Sequence, residues 1–209
     1  SPWTVASYMA EGGSSRNFSK IKGLSRENPS GLETILEVLI ETTIEYLNAQ
    51  INSGADVIML FDTWGSVLNK VDYRRFSLEP MKKIVNKLQR ERNGREIPVI
   101  LFTKGAGTLL SDMVETGCDA LGVDWSISMA DARRYTADQV SLQGNLNPAI
   151  LRKSPKQIRQ GVATVLESYG SGLGHVFNLG HGITPDINPN HLGILVDAVH
   201  ELSPAYHSQ

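Results

Sequence analysis

The sequence predicts an α/β protein built on a parallel sheet, and three features support this prediction. Apolar residues recur at spacings of three and four over residues 32–47, which is typical of a helix with one buried face. A nearly continuous apolar run follows at residues 55–61, and such a run suits a strand that is covered on both faces. This succession of a helix and a strand then repeats along the chain, as it does in parallel β/α architectures.

Local signals place each element in turn. The first helix begins at Asn28-Pro29, since asparagine is a good cap and proline suits the first helical turn, and it ends at Gly54. The later predicted elements alternate in the same way: a helix at 78–89 ending near Asn93-Gly94, a strand at 98–102, a helix at 109–116, a strand at 120–123, a short helix from about 129, a strand at 140–143, helix starts at Asn147 and Ser154 with an end at Gly170, a strand at 175–179 and a helix at 190–201. No change of composition marks a boundary, so we expect one domain over residues 1–209.

Two ways of closing the sheet are possible, an open doubly wound sheet and an eight-stranded barrel. An open sheet that binds a nucleotide should carry a glycine fingerprint, and Gly105-Ala106-Gly107 is too short to be one. Polar residues follow every predicted strand at its C-terminal end, where barrel enzymes place their sites. We therefore expect a (β/α)8 TIM barrel that is incomplete here, because it needs three more strands.

Composition excludes several classes of function. The 209 residues carry a formal net charge of -2, which argues against a nucleic-acid partner, since such proteins usually have a basic surplus. Cys118 is the only cysteine, so no internal disulfide can form. The sequence contains no run of about 18 apolar residues, so it predicts no membrane span. The start at Ser1-Pro2-Trp3-Thr4 has no signal-peptide character, and we expect that the chain begins in the middle of a fold.

Several strand ends, together with the N-terminus, resemble the uroporphyrinogen decarboxylase family in its bacterial form. The resemblance covers essentially the whole chain in order, and its segments are SPWT from Ser1, YMAEGGS from Tyr8, FDTWG from Phe61, FTKG from Phe102, GVDW from Gly122, LQGN from Leu142 and NLGHG from Asn178. The resemblance implies a (β/α)8 barrel in a cytoplasmic homodimer, with the five strands found above as strands 4 to 8. This chain would then be the C-terminal part of the barrel.

The resemblance also implies an activity. Family members convert uroporphyrinogen III to coproporphyrinogen III by removing four acetate carboxylates, and they use no metal or organic cofactor. The family's catalytic aspartate, which steadies a pyrrole cation, lies upstream of Ser1, so no catalytic residue can be assigned here. We therefore expect the 209 residues alone to be inactive.

Three substrate-binding residues are implied by the resemblance, namely Tyr8, Thr63 and His181. Each can donate a hydrogen bond to a substrate carboxylate. From the residues alone, a core tyrosine is the commoner interpretation of Tyr8 and a structural histidine that of His181, and Thr63 could equally be a helix cap. We interpret Asp62 as structural, Asp124 and Trp125 as parts of the barrel rim, and the other four histidines as surface or helix residues.

Other interpretations use the remaining polar residues. Lys104 at a strand end could form a Schiff base, although a solvated or ion-paired cation is commoner. A zinc-dependent, corrinoid-linked methyltransferase of the same superfamily is a rival, but a thiolate-rich zinc site is hard to build from one cysteine. The other rival is a non-catalytic fragment that binds a tetrapyrrole or dimerises through its open strand edges.

Overall fold

The structure is a computed structural model that describes residues 1–207. These residues fall into two units, of which the first is Ser1–Ala120 and the second begins at Leu121. The first unit contains these elements in chain order: α1 (Pro2–Glu11), α2 (Ser19–Glu27), α3 (Pro29–Asn52), β1 (Ile58–Asp62), α4 (Lys70–Tyr73), α5 (Glu79–Lys87), β2 (Glu91–Arg92), β3 (Arg95–Glu96), β4 (Val99–Thr103) and α6 (Leu110–Val114). A π-helical turn at Arg74–Leu78 connects α4 to α5, and 3-10 turns lie at Gly65–Val67 and Gly107–Leu109.

The long helix α3 confirms the first predicted element. The Asn28 side chain accepts a hydrogen bond from the backbone N–H of Gly31 at 2.9 Å, and Pro29 occupies the first turn. The helix ends at Asn52, and Gly54 two residues later has a φ of 116°. The residues that the helix buries recur every three or four positions, as predicted: Leu32, Leu36, Ile40, Ile44, Leu47 and Ile51.

Strands β1 and β4 pair in parallel, with Ile58 opposite Val99 and Asp62 opposite Thr103. The bounds of β4 differ by one residue from the predicted strand at 98–102, and β1 begins three residues later and ends one residue later than the predicted run at 55–61. Leu60 on β1 is buried, whereas its neighbour Phe61 is 54% exposed. The expectation that β1 is covered on both faces is therefore wrong for the described residues, because only one side of the strand packs against helices.

Among the described residues, four short helices, namely α1, α2, α4 and one at Pro204–His207, and a hairpin were not predicted. Helices α1 and α2 lie within residues 2–27, and this part of the chain buries Trp3, Phe18 and Ile21 in one cluster with residues of α3. Strands β2 and β3 form an antiparallel hairpin around Asn93 and Gly94, both of which have positive φ. An Asn-Gly pair is a strong hairpin signal as well as a helix-end signal, and here the hairpin is the correct interpretation.

A buried carboxylate ties several of these elements together. Asp62 at the end of β1 has no exposed surface, and its Oδ1 accepts hydrogen bonds from Ser1 Oγ at 2.7 Å and Thr4 Oγ1 at 2.9 Å. Its Oδ2 accepts from Ser77 Oγ at 2.5 Å and, more weakly, from Thr103 Oγ1 at 3.4 Å. We call these five side chains the Asp62 network. It joins the start of α1, the π-helical turn and the ends of both paired strands.

Tyr73 and Gly65 complete the surroundings of this network. The Tyr73 hydroxyl lies 2.9 Å from Thr103 Oγ1, and burial raises the pKa of Tyr73 far above its usual range, so the phenol stays neutral. A Cβ atom on Gly65 would lie 2.0 Å from Asp62 Oδ2. Only glycine therefore fits at position 65, since any side chain would displace the carboxylate.

The second unit repeats the helix and strand alternation. It contains most of β5 (Ala120–Gly122), followed by α7 (Met129–Thr136), β6 (Ser141–Leu146), α8 (Pro155–Tyr169), β7 (His175–Leu179), α9 (Pro189–Leu202) and α10 (Pro204–His207). Strands β6 and β7 pair in parallel, with Leu142 opposite His175 and Leu146 opposite Leu179. The Val123 N–H donates to the Gln143 carbonyl at 2.7 Å, which brings the chain after β5 beside β6.

The predicted bounds in this unit are largely confirmed. Strand β7 coincides with its prediction, and α7 begins at Met129. Helix α8 has the predicted Ser154-Pro155 start, with a capping box completed by Gln157, and it ends before Gly170. Asn147 caps a 3-10 turn at Pro148–Arg152 rather than an α-helix. Within residues 1–207, no helix combines the length and apolar content that crossing a bilayer requires.

We expect Asp62→Ala to lower the free energy of unfolding of the chain by about 3 kcal/mol, because buried hydroxyls of the Asp62 network would lose their charged acceptor. Urea denaturation followed by circular dichroism measures the change. Asp56→Ala is the matched control, since Asp56 is 68% exposed and forms a surface ion pair with Arg92. Equal effects of the two substitutions would contradict the role given to Asp62.

Candidate functional site

Tyr8 lies near the end of α1 with 40% of its surface exposed. Its carbonyl oxygen accepts hydrogen bonds from the N–H groups of Gly12 and Gly13, which close the last turn of the helix. Its ring packs edge-on against Trp64, with ring centroids 6.3 Å apart. Tyr8 is therefore a partly exposed tyrosine fixed against an aromatic neighbour, and the alternative of a fully buried core tyrosine is not observed.

Thr63 directly follows β1, between two anchored residues. Asp62 before it is held in the Asp62 network, and Trp64 after it donates its N–H to Thr4 Oγ1 at 3.4 Å. The Trp64 carbonyl accepts from the Trp3 indole N–H at 2.9 Å. The following 3-10 turn is preceded by Trp64 and has no side-chain cap, so the helix-cap role considered for Thr63 is not observed.

Trp64 brings the two candidate residues of the first unit together. Tyr8 packs on this indole, Phe18 packs on it as well at a centroid distance of 4.8 Å, and Thr63 is its neighbour in the chain. The Tyr8 phenol thus packs on an aromatic side chain at the C-terminal end of β1, and the threonine next to that side chain in sequence supplies a hydroxyl. Such a combination suits a ligand that is both aromatic and acidic.

His181 lies in the second unit, two residues after β7. Its ring packs edge-on against Trp125, with centroids 6.3 Å apart and an interplanar angle of 86°. A Cβ atom on Gly180 would lie 2.8 Å from the Trp125 backbone nitrogen, so glycine permits this close approach. The Gly180 N–H donates to the Leu146 carbonyl at 2.8 Å, which fixes the segment against the end of β6.

The polar residues after β5 and β6 support the same region. Asp124 is 6% exposed, and its Oδ1 accepts hydrogen bonds from the N–H and the hydroxyl of Ser126. Asn145 donates from Nδ2 to the carbonyl oxygens of Asp124 and Ile127, at 3.0 and 2.6 Å. These contacts hold the loop that presents Trp125, which is 41% exposed and packs against His181.

Comparison with known proteins identifies the family. The sequence model described as uroporphyrinogen decarboxylase (URO-D) matches residues 1–202, almost the whole chain. This chain belongs to the uroporphyrinogen decarboxylase family. The resemblance found in the strand-end segments is thereby confirmed.

Curated relatives agree with the family match. The uroporphyrinogen decarboxylase of Hydrogenovibrio crunogenus is 58% identical over 207 residues, and that of Aeromonas salmonicida is 55% identical over 209 residues. The alignments cover 99% and 100% of this chain but 58% and 59% of those proteins. The chain therefore spans about three fifths of the length of these relatives.

A solved structure shares the architecture. A methyltransferase from Methanosarcina mazei superimposes with a TM-score of 0.76 and 25% sequence identity, over 88% of this chain and 53% of the other. The similarity supports the α/β class predicted from the sequence. The much higher identity to uroporphyrinogen decarboxylases favours that family over the methyltransferase rival.

The potential metal donors of this family member are dispersed in the described structure. Residues 1–207 contain no group of three or more histidine, cysteine, aspartate or glutamate side chains placed to hold a metal ion. Cys118 is buried, and burial raises the pKa of its thiol, which keeps the sulfur protonated.

His175 has a more specific environment than the sequence indicated. It begins β7, is half-buried, and stacks on Tyr169 at 4.3 Å with nearly parallel rings. Its Nε2 lies 2.9 Å from the Gly144 carbonyl oxygen, and the His207 ring is 5.8 Å away. The expectation of a surface or helix residue is wrong here. The predicted strand at 175–179 already began at His175, and that was the signal against a helix or surface position.

Burial lowers the pKa of His175, and the nearby His207 and Arg133 add to this effect. In the unfolded chain the His175 side chain therefore takes up a proton near pH 6.5, whereas in the folded chain it does so only at a lower pH. The contribution of neutral His175 to the free energy of unfolding is complete above pH 6.5. It is lost as the pH falls from 6.5 through the lower pKa of the folded state.

We expect the free energy of unfolding to decrease between pH 7.5 and pH 5.5, and His175→Gln to reduce that decrease, because the titrating ring is removed. Urea denaturation at a series of pH values measures both slopes. His200→Gln is the matched control, since His200 is exposed on α9. If the control flattens the pH profile as much as His175→Gln does, the assignment to His175 is incorrect.

Proposed function

We propose that the full-length protein containing this chain decarboxylates the four acetate side chains of uroporphyrinogen III to give coproporphyrinogen III, without a cofactor. The observation that carries the proposal is the 58% identity to a uroporphyrinogen decarboxylase over nearly all of this chain. In support, the strand-end segments typical of the family contain the partly exposed polar side chains described above. The proposal places this step in porphyrin and haem biosynthesis.

The chemistry requires an electron sink. When a pyrrole acetate loses carbon dioxide, the bond between the methylene carbon and the carboxylate breaks, and its electron pair stays on the methylene carbon. A pyrrole ring that has first been protonated accepts this pair, which forms an exocyclic double bond to the methylene carbon. A proton added to that carbon then gives the methyl group, and loss of the first proton from the ring restores the pyrrole. The protein has to stabilise the pyrrole cation and hold the remaining carboxylates.

The residues of this chain would serve mainly in binding. The Tyr8 phenol packs against Trp64 and Thr63 precedes Trp64 in the chain, and both hydroxyls can donate hydrogen bonds to substrate carboxylates. His181, supported by Trp125, can donate to an acetate or propionate group in either protonation state. The Tyr8 and Trp125 rings supply apolar surface for the tetrapyrrole.

We further propose that the five strands are strands 4 to 8 of one (β/α)8 barrel domain that includes residues 1–209. The similarity in fold to the methyltransferase, at a TM-score of 0.76, is the support for this assignment. Following the family, we expect a cytoplasmic homodimer that needs neither nucleic acid nor a membrane. Sedimentation equilibrium of the full-length protein tests the dimer.

The full-length protein is expected to convert uroporphyrinogen III to coproporphyrinogen III, and Tyr8→Phe or His181→Asn should reduce kcat/KM without unfolding the protein. A lost hydrogen bond to a charged group costs about 1.5–3 kcal/mol, which corresponds to roughly ten- to a hundredfold in rate. Chromatography of the oxidised porphyrin products measures turnover.

Tyr46→Phe and His200→Asn are the matched controls, since both residues are exposed, on α3 and α9. They should leave kcat/KM unchanged. Absence of coproporphyrin from the unmodified protein would disprove the activity. Normal kinetics for both site variants would disprove only the assignment of Tyr8 and His181.

A further inference from the structure

The segment that begins after α1 and stops one residue before Glu27, the last residue of α2, is strongly basic. Residues 12–26, which we call the basic segment, contain Arg16, Lys20, Lys22 and Arg26 and no acidic residue. Arg16, Lys20 and Arg26 are exposed, and Lys22 is half-buried. The whole chain carries a net charge of -2, so this concentration of positive charge is local.

The cations of the basic segment lack the acidic partners that most other cations of the same unit have. Arg75 pairs with Glu33, Lys87 with Glu41 and Arg74 with Asp112. Within residues 1–207, no carboxylate lies within ion-pair distance of Arg16, Lys22 or Arg26.

Two acidic residues flank the basic segment. Glu27, which directly follows Arg26, is exposed and forms no ion pair with it in the described part of the chain. Glu11, which precedes the segment, is committed to another task. Glu11 Oε1 accepts hydrogen bonds from the backbone N–H groups of Lys20 and Ile21, at 2.9 and 3.1 Å. Phe18 precedes α2 and provides no side-chain cap, so Glu11 takes the place of a capping residue. Its charge is thus directed at the start of α2 and away from the Lys22 and Arg26 side chains farther along the helix.

Two of these cations line a cleft of about 200 Å³ between α2 and the chain that follows Trp64. Lys22 and Arg26 lie on the α2 side, and Asn69 and Asp72 lie on the opposite side. The Asp72 carboxylate accepts a hydrogen bond from Asn69 Nδ2 at 2.7 Å. With two cations and one carboxylate, the cleft has a formal charge of +1.

The cleft is anchored to the same aromatic residue as the candidate site. Phe18 of the basic segment and Tyr8 both pack on Trp64, and Val67 and Leu68, three and four residues after Trp64, line the cleft. Trp64, Val67 and Leu68 also pack against the apolar cluster of α1, α2 and α3. One group of packed side chains therefore supports both Tyr8 and the cleft.

We propose that the basic segment binds a carboxylate of the poly-acid tetrapyrrole, and that Lys22 and Arg26 hold that carboxylate in the cleft. The inference rests on the proposed function for the identity of the ligand. The site in the cleft adds to Tyr8, Thr63 and His181, and it favours substrates with many carboxylates. Because the cations are partly in solvent, the attraction weakens with salt.

The test measures binding of uroporphyrin III, an oxidised analogue that is not turned over, to the full-length protein by fluorescence titration at low and high ionic strength. We expect K22Q/R26Q to weaken binding by about tenfold at low salt and by much less at high salt. In turnover assays, KM for uroporphyrinogen III should rise with kcat nearly unchanged, because the cleft binds ground state and transition state alike.

The double variant K153Q/K156Q is the matched control. It removes the same charge from two exposed lysines of the second unit, and it should bind uroporphyrin III as the unmodified protein does. Mesoporphyrin, which has only two carboxylates, is the second probe, and K22Q/R26Q should weaken its binding less than that of uroporphyrin III.

Several outcomes overturn the inference. One is normal uroporphyrin affinity of K22Q/R26Q at low salt, and another is an equal loss in the control variant. An equal loss for mesoporphyrin would show a general effect rather than recognition of the carboxylates. If the unmodified protein yields coproporphyrin while K22Q/R26Q binds normally, this inference alone fails; if the unmodified protein neither binds nor reacts, the proposed function fails as well.

Discussion

The buried carboxylate of Asp62 is the interaction on which the candidate site of the first unit depends. A charge without solvent contact is stable only when donors surround it, and here the donors are hydroxyls from α1, the π-helical turn and β4. Each hydroxyl is in turn positioned by its own element, so the network requires all of them to assemble together. Thr63 and Trp64 follow directly, and their positions are consequences of the way in which Asp62 is satisfied.

Trp64 connects the residues around Asp62 to the partly exposed side chain of Tyr8. Its carbonyl and N–H are both bonded to residues of α1, and its ring separates Tyr8 from Phe18. The chain after β1, the end of α1 and the start of α2 thus share one aromatic contact. In the second unit, Trp125 has a comparable relation to His181, where Gly180 allows the backbone to approach. Tyr8 in the first unit and His181 in the second therefore each pack against a tryptophan.

The sequence predicted the parts of the fold that depend on periodic apolar residues. Helix α3 and strand β7 were placed correctly because their patterns are long or sharply bounded. Helix α1 was missed, although Ser1-Pro2 is the same kind of start signal as Asn28-Pro29, because ten residues give too few turns for a clear period. The candidate residues were found through the family segments, whereas the donors to Asp62 are far apart in sequence and no local pattern joins them. The position of Lys22 and Arg26 beside a cleft could not be predicted from the sequence either, because the other side of the cleft lies more than 40 residues later in the chain.

The ion pairs between α3 and the segment containing α5 have a consequence for how that interface is specified. Glu33, Glu37 and Glu41 recur every four residues and face Arg75, Lys83 and Lys87 in the same order. Displacing one helix by a turn would offer each cation another glutamate, because Glu45 continues the row. Charge alone would therefore tolerate a misaligned packing, and the correct alignment has to come from the interlocking apolar side. Substitutions of the charged residues should accordingly be tolerated, whereas substitutions of the buried residues beneath them should disturb the alignment of the helices.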